Sequence, residues 1–146
     1  MIDWYKKVVF ENYTNFSGRA RRSEYWYFIL CNYLIVLALY LLLFFSILLT
    51  GNSEEGSIGT LGGLIYGIIT LYSLATAIPS LAVLVRRIHD IGKSGWSLLI
   101  GFIPIVGTLI VLVWLFTDSQ QGNNKWGANP KEDGDSIDEI GSIEIN

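Results

Sequence analysis

The residues best able to do chemistry in this sequence form one run, Arg86-Arg87-Ile88-His89-Asp90-Ile91-Gly92-Lys93-Ser94-Gly95-Trp96. Two guanidinium forks, an ammonium and the backbone N–H groups of a glycine-rich, serine-containing turn are a set of donors that suits a phosphate group. Arg19, Arg21 and Arg22 add three more bases earlier in the chain. Together with Arg86, Arg87 and Lys93 they make a basic collar, expected to bind anionic lipid headgroups or an acidic partner. Each base near an anionic leaflet contributes ~1 kcal/mol. The same bases would also serve as orientation signals alone, because loops rich in Lys and Arg stay in the cytoplasm.

His89 is the sole histidine, and Asp90 follows it directly. Successive residues on a helix point about 100° apart, so the two need not touch, and a metal site would require further ligands that the sequence hardly offers. Glu24, His89, Asp90 and Ser94 are read instead as a polar network, with Glu24 pairing to Arg22, Arg86 or Arg87. The single Cys31 sits inside an apolar run and reads as a small apolar side chain. There is no Gly-x-Ser-x-Gly turn, phosphate loop, His-Glu-x-x-His or Gly-x-Gly-x-x-Gly. No catalytic residue, metal, cofactor or nucleic-acid partner is therefore expected, and the chain reads as no enzyme.

Three apolar runs must position these groups: Tyr25 to Thr50, Ile58 to Val85 and Trp96 to Phe116, none with a Lys, Arg, Asp or Glu. Each has about the 20 residues that a helix needs to cross a hydrocarbon core of roughly 30 Å. With 51% hydrophobic and 16% charged residues, the chain is far from an ordinary soluble domain. The fold expected is an all-α membrane protein with spans at about 25–50, 58–85 and 96–116, in one membrane domain over residues 1–130. The first run starts too late and runs too long for a cleaved signal, so it is read as a retained helix.

Charge sets the orientation. Bases dominate up to Arg22 and again from Arg86 to Gly95, whereas Gly51 to Ser57 carries Glu54 and Glu55 and no base. The positive-inside rule then puts the N-terminus and the Arg86 loop in the cytoplasm and the Glu54 loop outside. Ahead of the first span, Trp4, Tyr5, Val8 and Val9 alternate with Asp3, Lys6, Lys7 and Glu11 at helical spacing, the pattern of a short interfacial amphipathic helix. Ser23 is a candidate cap for the first span, and Tyr25, Trp26 and Tyr27 suit its interfacial end.

In the second run Gly59, Gly63 and Gly67 fall four apart on one face, a stripe for close helix packing. Packing within the chain is the favoured use, with a second copy or another membrane protein as the other candidate partner. Pro79 is expected to bend this helix. Gly101, Pro104 and Gly107 weaken the third run, which is expected to cross as a kinked helix, the alternative being a re-entrant segment. From Lys131 to Asn146 the acidic, glycine-broken tail reads as disordered.

Asp3-Trp4-Tyr5, Asn12-Tyr13, Phe16, Gly18-Arg19-Ala20-Arg21-Arg22 running into Glu24-Tyr25-Trp26, Pro79-Ser80, Arg86-Arg87-Ile88-His89-Asp90, Ser94-Gly95-Trp96, Pro104 with Gly107, and Asn124-Lys125-Trp126-Gly127-Ala128-Asn129-Pro130 occur in that order. This pattern resembles the small bacterial inner-membrane family called domain of unknown function 805, the YhaH-like proteins. Asn129 stands where that pattern commonly has Asp, and Asp118 to Gly122 replaces a Gly-Thr-Pro-Gly-like turn. The resemblance implies an integral protein of the bacterial cytoplasmic membrane and no particular reaction. On function, the leading expectation is a non-enzymatic membrane protein with a lipid-binding basic collar. A small transporter or channel subunit is the alternative, and a membrane enzyme acting on a lipid phosphate through His89 and Asp90 ranks third.

Overall fold

The structure is a computed structural model that describes residues 1–50 and 59–131. The Glu54 loop and the acidic tail beyond Lys131, expected to be outside the membrane and disordered respectively, lie outside the described residues. Among the described residues the chain is helical, with one isolated bridge between Asn124 and Gly127.

Helix α1 (Ile2–Lys6) continues through a π-helical turn, Lys7–Glu11. Its amphipathic pattern is realised: Val8 is fully buried and Trp4, Tyr5 and Val9 are partly covered, while Asp3, Lys6 and Glu11 are exposed. What covers the apolar side is protein. Tyr5 stacks on Phe28 at 5.6 Å between ring centroids, and its hydroxyl meets that of Tyr72 at 3.1 Å.

Among the described residues, helices α2 (Arg22–Thr50, 29 residues) and α3 (Thr60–Asp90, 31 residues) are the two that are long and apolar enough to cross a membrane. At 1.5 Å per residue they measure about 43 and 46 Å. Helix α2 starts at Arg22, so Ser23 sits inside its first turn and does not precede the helix as a cap would. Side chains such as Leu42, Phe45, Leu48, Leu71 and Leu74 are more than half exposed, a surface far too apolar for water and suited to lipid.

The face that α3 buries is not the glycine stripe. Gly62, Ile69, Thr76, Val83 and Asp90 are all buried and recur at every seventh residue, the spacing of a left-handed helix-packing seam. Gly59 precedes the helix, and a Cβ placed on Gly63 or Gly67 would meet nothing within 4 Å. Among the described residues, the stripe is therefore not a packing surface within the chain. Polar groups along the α2–α3 contact are paired locally: the Tyr72 hydroxyl donates to Asn32 Oδ1 at 2.8 Å, and Thr76 and Ser80 donate to carbonyls one turn back.

Helix α3 continues through Pro79, which has no N–H to offer the carbonyl of Ala75. That carbonyl instead accepts the hydroxyl of Tyr13 at 2.6 Å.

The third apolar run does not form one long helix. It makes a 3-10 helix (Gly95–Phe102), a tight turn and a short α4 (Val106–Phe116) that packs back on the 3-10 segment. At the turn, Val106 N–H bonds the Pro104 carbonyl at 2.7 Å and Ile105 takes φ 64°, ψ −65°, a strained γ-turn geometry for a β-branched residue. Gly107 allows the two arms to touch, since a Cβ there would collide with the Ile100 carbonyl. Both arms end beside the last turn of α3: Lys93 Nζ lies 4.8 Å from the Trp114 ring, and Arg87 donates to the carbonyls of Leu115 and Thr117. This hairpin replaces the expected kinked crossing. The proline removes the donor that would continue the helix, and the glycine permits the close return.

A small core of Val8, Ala20, Tyr25, Phe28, Val83 and Leu115 joins the N-terminal segment, α2, α3 and α4 at this one end.

Candidate functional site

The polar centre is built around the last turn of α3. The helix closes with a Schellman motif: Gly92 adopts φ 78°, its N–H bonds the His89 carbonyl at 3.0 Å, and Lys93 N–H bonds the Ile88 carbonyl at 3.1 Å. Other parts of the chain also donate to carbonyls of this turn. Arg86 O accepts from Ala20 N–H at 3.1 Å, His89 O from Asn124 Nδ2 at 3.0 Å, and Asp90 O from Gln120 N–H at 2.9 Å.

Asp90 is fully buried and holds two arginines at once. Arg19 Nε donates to its Oδ1 at 3.0 Å, while Arg87 Nη1 and, at 2.6 Å, Ser119 Oγ donate to Oδ2. Arg19 also reaches the carbonyls of Gly122 (2.7 Å), Gln120 and Asp90 itself (3.3 Å). A second pair lies alongside: Arg86 Nη1 donates to Glu24 Oε1 at 2.7 Å, and Lys7 Nζ stands 3.5 Å from Glu24 Oε2. Arg86 Nε and Nη2 are buried with no hydrogen-bond partner among the described residues. Burying an arginine demands a counter-charge, and the two carboxylates supply it.

The expected network therefore splits. Glu24 pairs with Arg86, one of the three partners anticipated, and Asp90 serves Arg19 and Arg87. His89 joins neither carboxylate. Its Nδ1 lies 3.3 Å from the Gly18 carbonyl, which fixes a proton on that nitrogen, and its ring stacks on Trp126 at 4.4 Å and 12°. Ser94 is the N-cap of the 3-10 helix, its carbonyl accepting Ser97 N–H at 2.9 Å. Among the described residues no three of His, Cys, Asp and Glu converge as metal ligands.

The six bases of the collar are not equivalent. Arg19, Arg86 and Arg87 are buried in ion pairs, whereas Arg22 and Lys93 are exposed and Arg21 is half-buried. Sequence reasoning missed the tail's contribution. Gln120, Asn124 and Trp126 cap α3 and cover His89, held by an Asx turn in which Trp126 N–H bonds Asn124 Oδ1 at 2.9 Å. The signal available was the polar, glycine-bracketed stretch Gly122 to Gly127, which reads as a turn but names no target. Farther along, Lys131 Nζ bonds Asp118 Oδ1 at 2.6 Å and holds that exposed carboxyl below the usual carboxylate range.

Comparison with known proteins matches this architecture to a family. Residues 13–128 fit the family described as "Protein of unknown function (DUF805)". The Inner membrane protein YhaI of Escherichia coli K12 is 38% identical over 136 residues, covering 89% of this chain and 97% of its own length. The Inner membrane protein YhaH of the same organism is 38% identical over 130 residues, covering 89% and 98%. No solved structure matches the chain. A family match spanning Tyr13 through the tail turn, with the Arg19, Glu24, Arg86, Arg87 and Asp90 centre inside it, places this protein in the DUF805 family, whose relatives here are inner membrane proteins.

Proposed function

We propose that this protein is a non-enzymatic component of the inner membrane that holds anionic phospholipid at its cytoplasmic face. The observation that carries the reading is the distribution of charge. All ten lysines and arginines belong to one end of the molecule, where α2 begins and α3 finishes, or to segments tied to that end. An anionic leaflet is attractive to such an end, and the positive-inside rule assigns it to the cytoplasm.

The division of labour within the collar follows from burial. Arg19, Arg86 and Arg87 neutralise buried carboxylates and stitch the end together, leaving Arg21, Arg22 and Lys93 to meet headgroups. In this topology α2 and α3 cross, and the 96–116 hairpin enters and leaves on the basic side. At about 16 Å, α4 reaches only near the middle of the hydrocarbon core. The Pro104 break that motivated a carrier reading lies at the exposed hairpin tip.

The experiment combines topology with lipid retention. In a Cys31-free background, external thiol reagent should label Ser53→Cys and miss Ser94→Cys, and a tag at Asn146 should be inaccessible from outside. Purified Arg21→Gln/Arg22→Gln/Lys93→Gln protein should keep its fold and lose co-purifying anionic lipid. Equal lipid phosphate per protein in wild type and triple variant would overturn the reading.

A further inference from the structure

Beside the ion-pair centre an open groove of about 510 Å³ runs between α3, the 3-10 helix and the N-terminal segment, lined by Phe16, Val85, His89, Ser94, Gly95, Trp96 and Leu99. It is graded along its length. Its polar end is set by His89, in the last turn of α3, and its apolar end by Val85 and Leu99. Val85 lies four residues, or about 6 Å, before His89 along the helix. Trp96, 80% exposed at the rim, is the residue type that favours the boundary between headgroups and acyl chains. Such a grading matches a phospholipid lying with its headgroup at the last turn of α3.

The polar end has a defined hydrogen-bonding sense. Nδ1 donates to the Gly18 carbonyl, so the neutral ring presents Nε2 as an acceptor. Nε2 faces the groove at Gly95: a Cβ on that glycine would stand 3.6 Å from Nε2 and 3.0 Å from Val85 Cγ1. Trp126 stacked on the ring fixes its plane. A phosphodiester has no proton to give this lone pair, so the acceptor asks for an O–H or N–H elsewhere on the headgroup. The surrounding charge selects between them. Lys125 lies 4.1 Å over the far partner of the stack, Trp126. That cation attracts the phosphodiester and disfavours an ammonium, whereas a hydroxyl carries no such penalty.

We propose that this groove is a binding site for one phosphatidylglycerol, its glycerol hydroxyl donating to His89 Nε2, its phosphate toward Lys125, and an acyl chain along Val85, Trp96 and Leu99. The site rests on the anionic-lipid reading above and adds selection by headgroup to it.

The test uses the full chain in mixed vesicles followed by native mass spectrometry of retained lipid. Three probes separate the contributions: phosphatidylglycerol, phosphatidylmethanol with the same charge and no hydroxyl, and phosphatidylethanolamine with a donor and no net charge. Wild type should retain phosphatidylglycerol about fivefold over phosphatidylmethanol, the size expected of one hydrogen bond. His89→Phe, which keeps a ring for Trp126 to stack on and removes the acceptor, should abolish that preference while leaving total anionic lipid nearly unchanged. Gly95→Val, which fills the groove, should release the selected lipid. Arg21→Gln/Arg22→Gln should lower both anionic lipids and leave their ratio intact, so failure of the collar and failure of the groove give different patterns. No preference in wild type, a preference for phosphatidylethanolamine, or a preference that survives His89→Phe would each overturn the site. Should Gly95→Val not fold, the His89→Phe ratio alone decides.

Discussion

Tyr13 supplies the hydrogen bond that Pro79 withholds. In an unbroken helix residue 79 would donate to the Ala75 carbonyl, and here the Tyr13 hydroxyl takes that acceptor at 2.6 Å from another segment of the chain. A residue that weakens α3 thereby becomes the place where the N-terminal segment is fastened. Tyr13→Phe should destabilise the protein by about 1 kcal/mol. In a Pro79→Ala background, where the substituted position regains an N–H that can reach the Ala75 carbonyl, the same change should cost much less. Thermal unfolding of the four proteins in detergent measures the coupling; strictly additive effects would show the two residues to be independent.

Asp90 and Arg22 should behave in opposite ways. Asp90→Ala leaves Arg19 and Arg87 buried without their counter-charge, an expected loss of about 3–5 kcal/mol. Arg22→Gln changes an exposed charge and should stay within about 0.5 kcal/mol. Comparable losses for both variants in urea titrations would contradict the buried centre.

The hairpin offers a paired test at its two glycines. Gly107→Ala sets a methyl against the Ile100 carbonyl and should destabilise by about 1–3 kcal/mol or more, because backbone has to move. Gly101→Ala places its methyl 3.7 Å from Val111 Cγ2, an ordinary contact, and should be tolerated. Equal tolerance of both would mean that the arms do not touch.

Gly63→Leu should leave the stability of the isolated protein almost unchanged, since a Cβ there meets nothing within 4 Å. A clear loss that depends on protein concentration would reveal a second copy packed on that face.

Acid should loosen the tail through Asp118. Its carboxyl is held low by Lys131, so the pair contributes above the ordinary carboxylate pKa near 3.9 and is lost as pH falls through the lowered folded value. The pair is exposed, and its contribution is correspondingly small. Asp118→Asn should remove that acid-dependent change from the mobility of Trp126, followed by fluorescence in a variant whose other tryptophans are replaced by Phe; an unchanged profile would detach the pair from the tail.

Much of this architecture was readable because membrane segments announce themselves by composition. The α2 and α3 helices, the amphipathic leader and the pairing of Glu24 with a nearby arginine follow from apolar length, helical spacing and charge, while the choice of Arg86 over Arg22 or Arg87 does not. The glycine stripe misled for a physical reason. Small residues permit close approach but do not compel it, and the face of α3 that turns inward is the one ending in Asp90, whose carboxylate must meet Arg19 and Arg87. The seven-residue recurrence of Gly62, Ile69, Thr76 and Val83 was present in the sequence, masked by a helix that is apolar on all sides. The hairpin was one of two outcomes that Pro104 and Gly107 allowed, and the choice lies in distant contacts such as Arg87 with the Thr117 carbonyl. Carbonyl acceptors carry no side-chain signature, so Arg19's partners in the tail were invisible from their residue types.

The reach of Arg19 has a consequence for how the protein is made. Its acceptors at Gln120 and Gly122 are synthesised more than a hundred residues after it, the Gly122 carbonyl lying 103 residues on. Both long helices, Asp90 included, are thus translated and available for insertion while this guanidinium still lacks its carbonyl ligands from the tail. The centre can close only when the segment to Gly127 has left the ribosome, which makes completion of Arg19's shell the last step of assembly. A chain stopped after Phe116 would have its apolar segments in full but no lock, and degradation of such truncated chains in the cell should set in between Phe116 and Gly127.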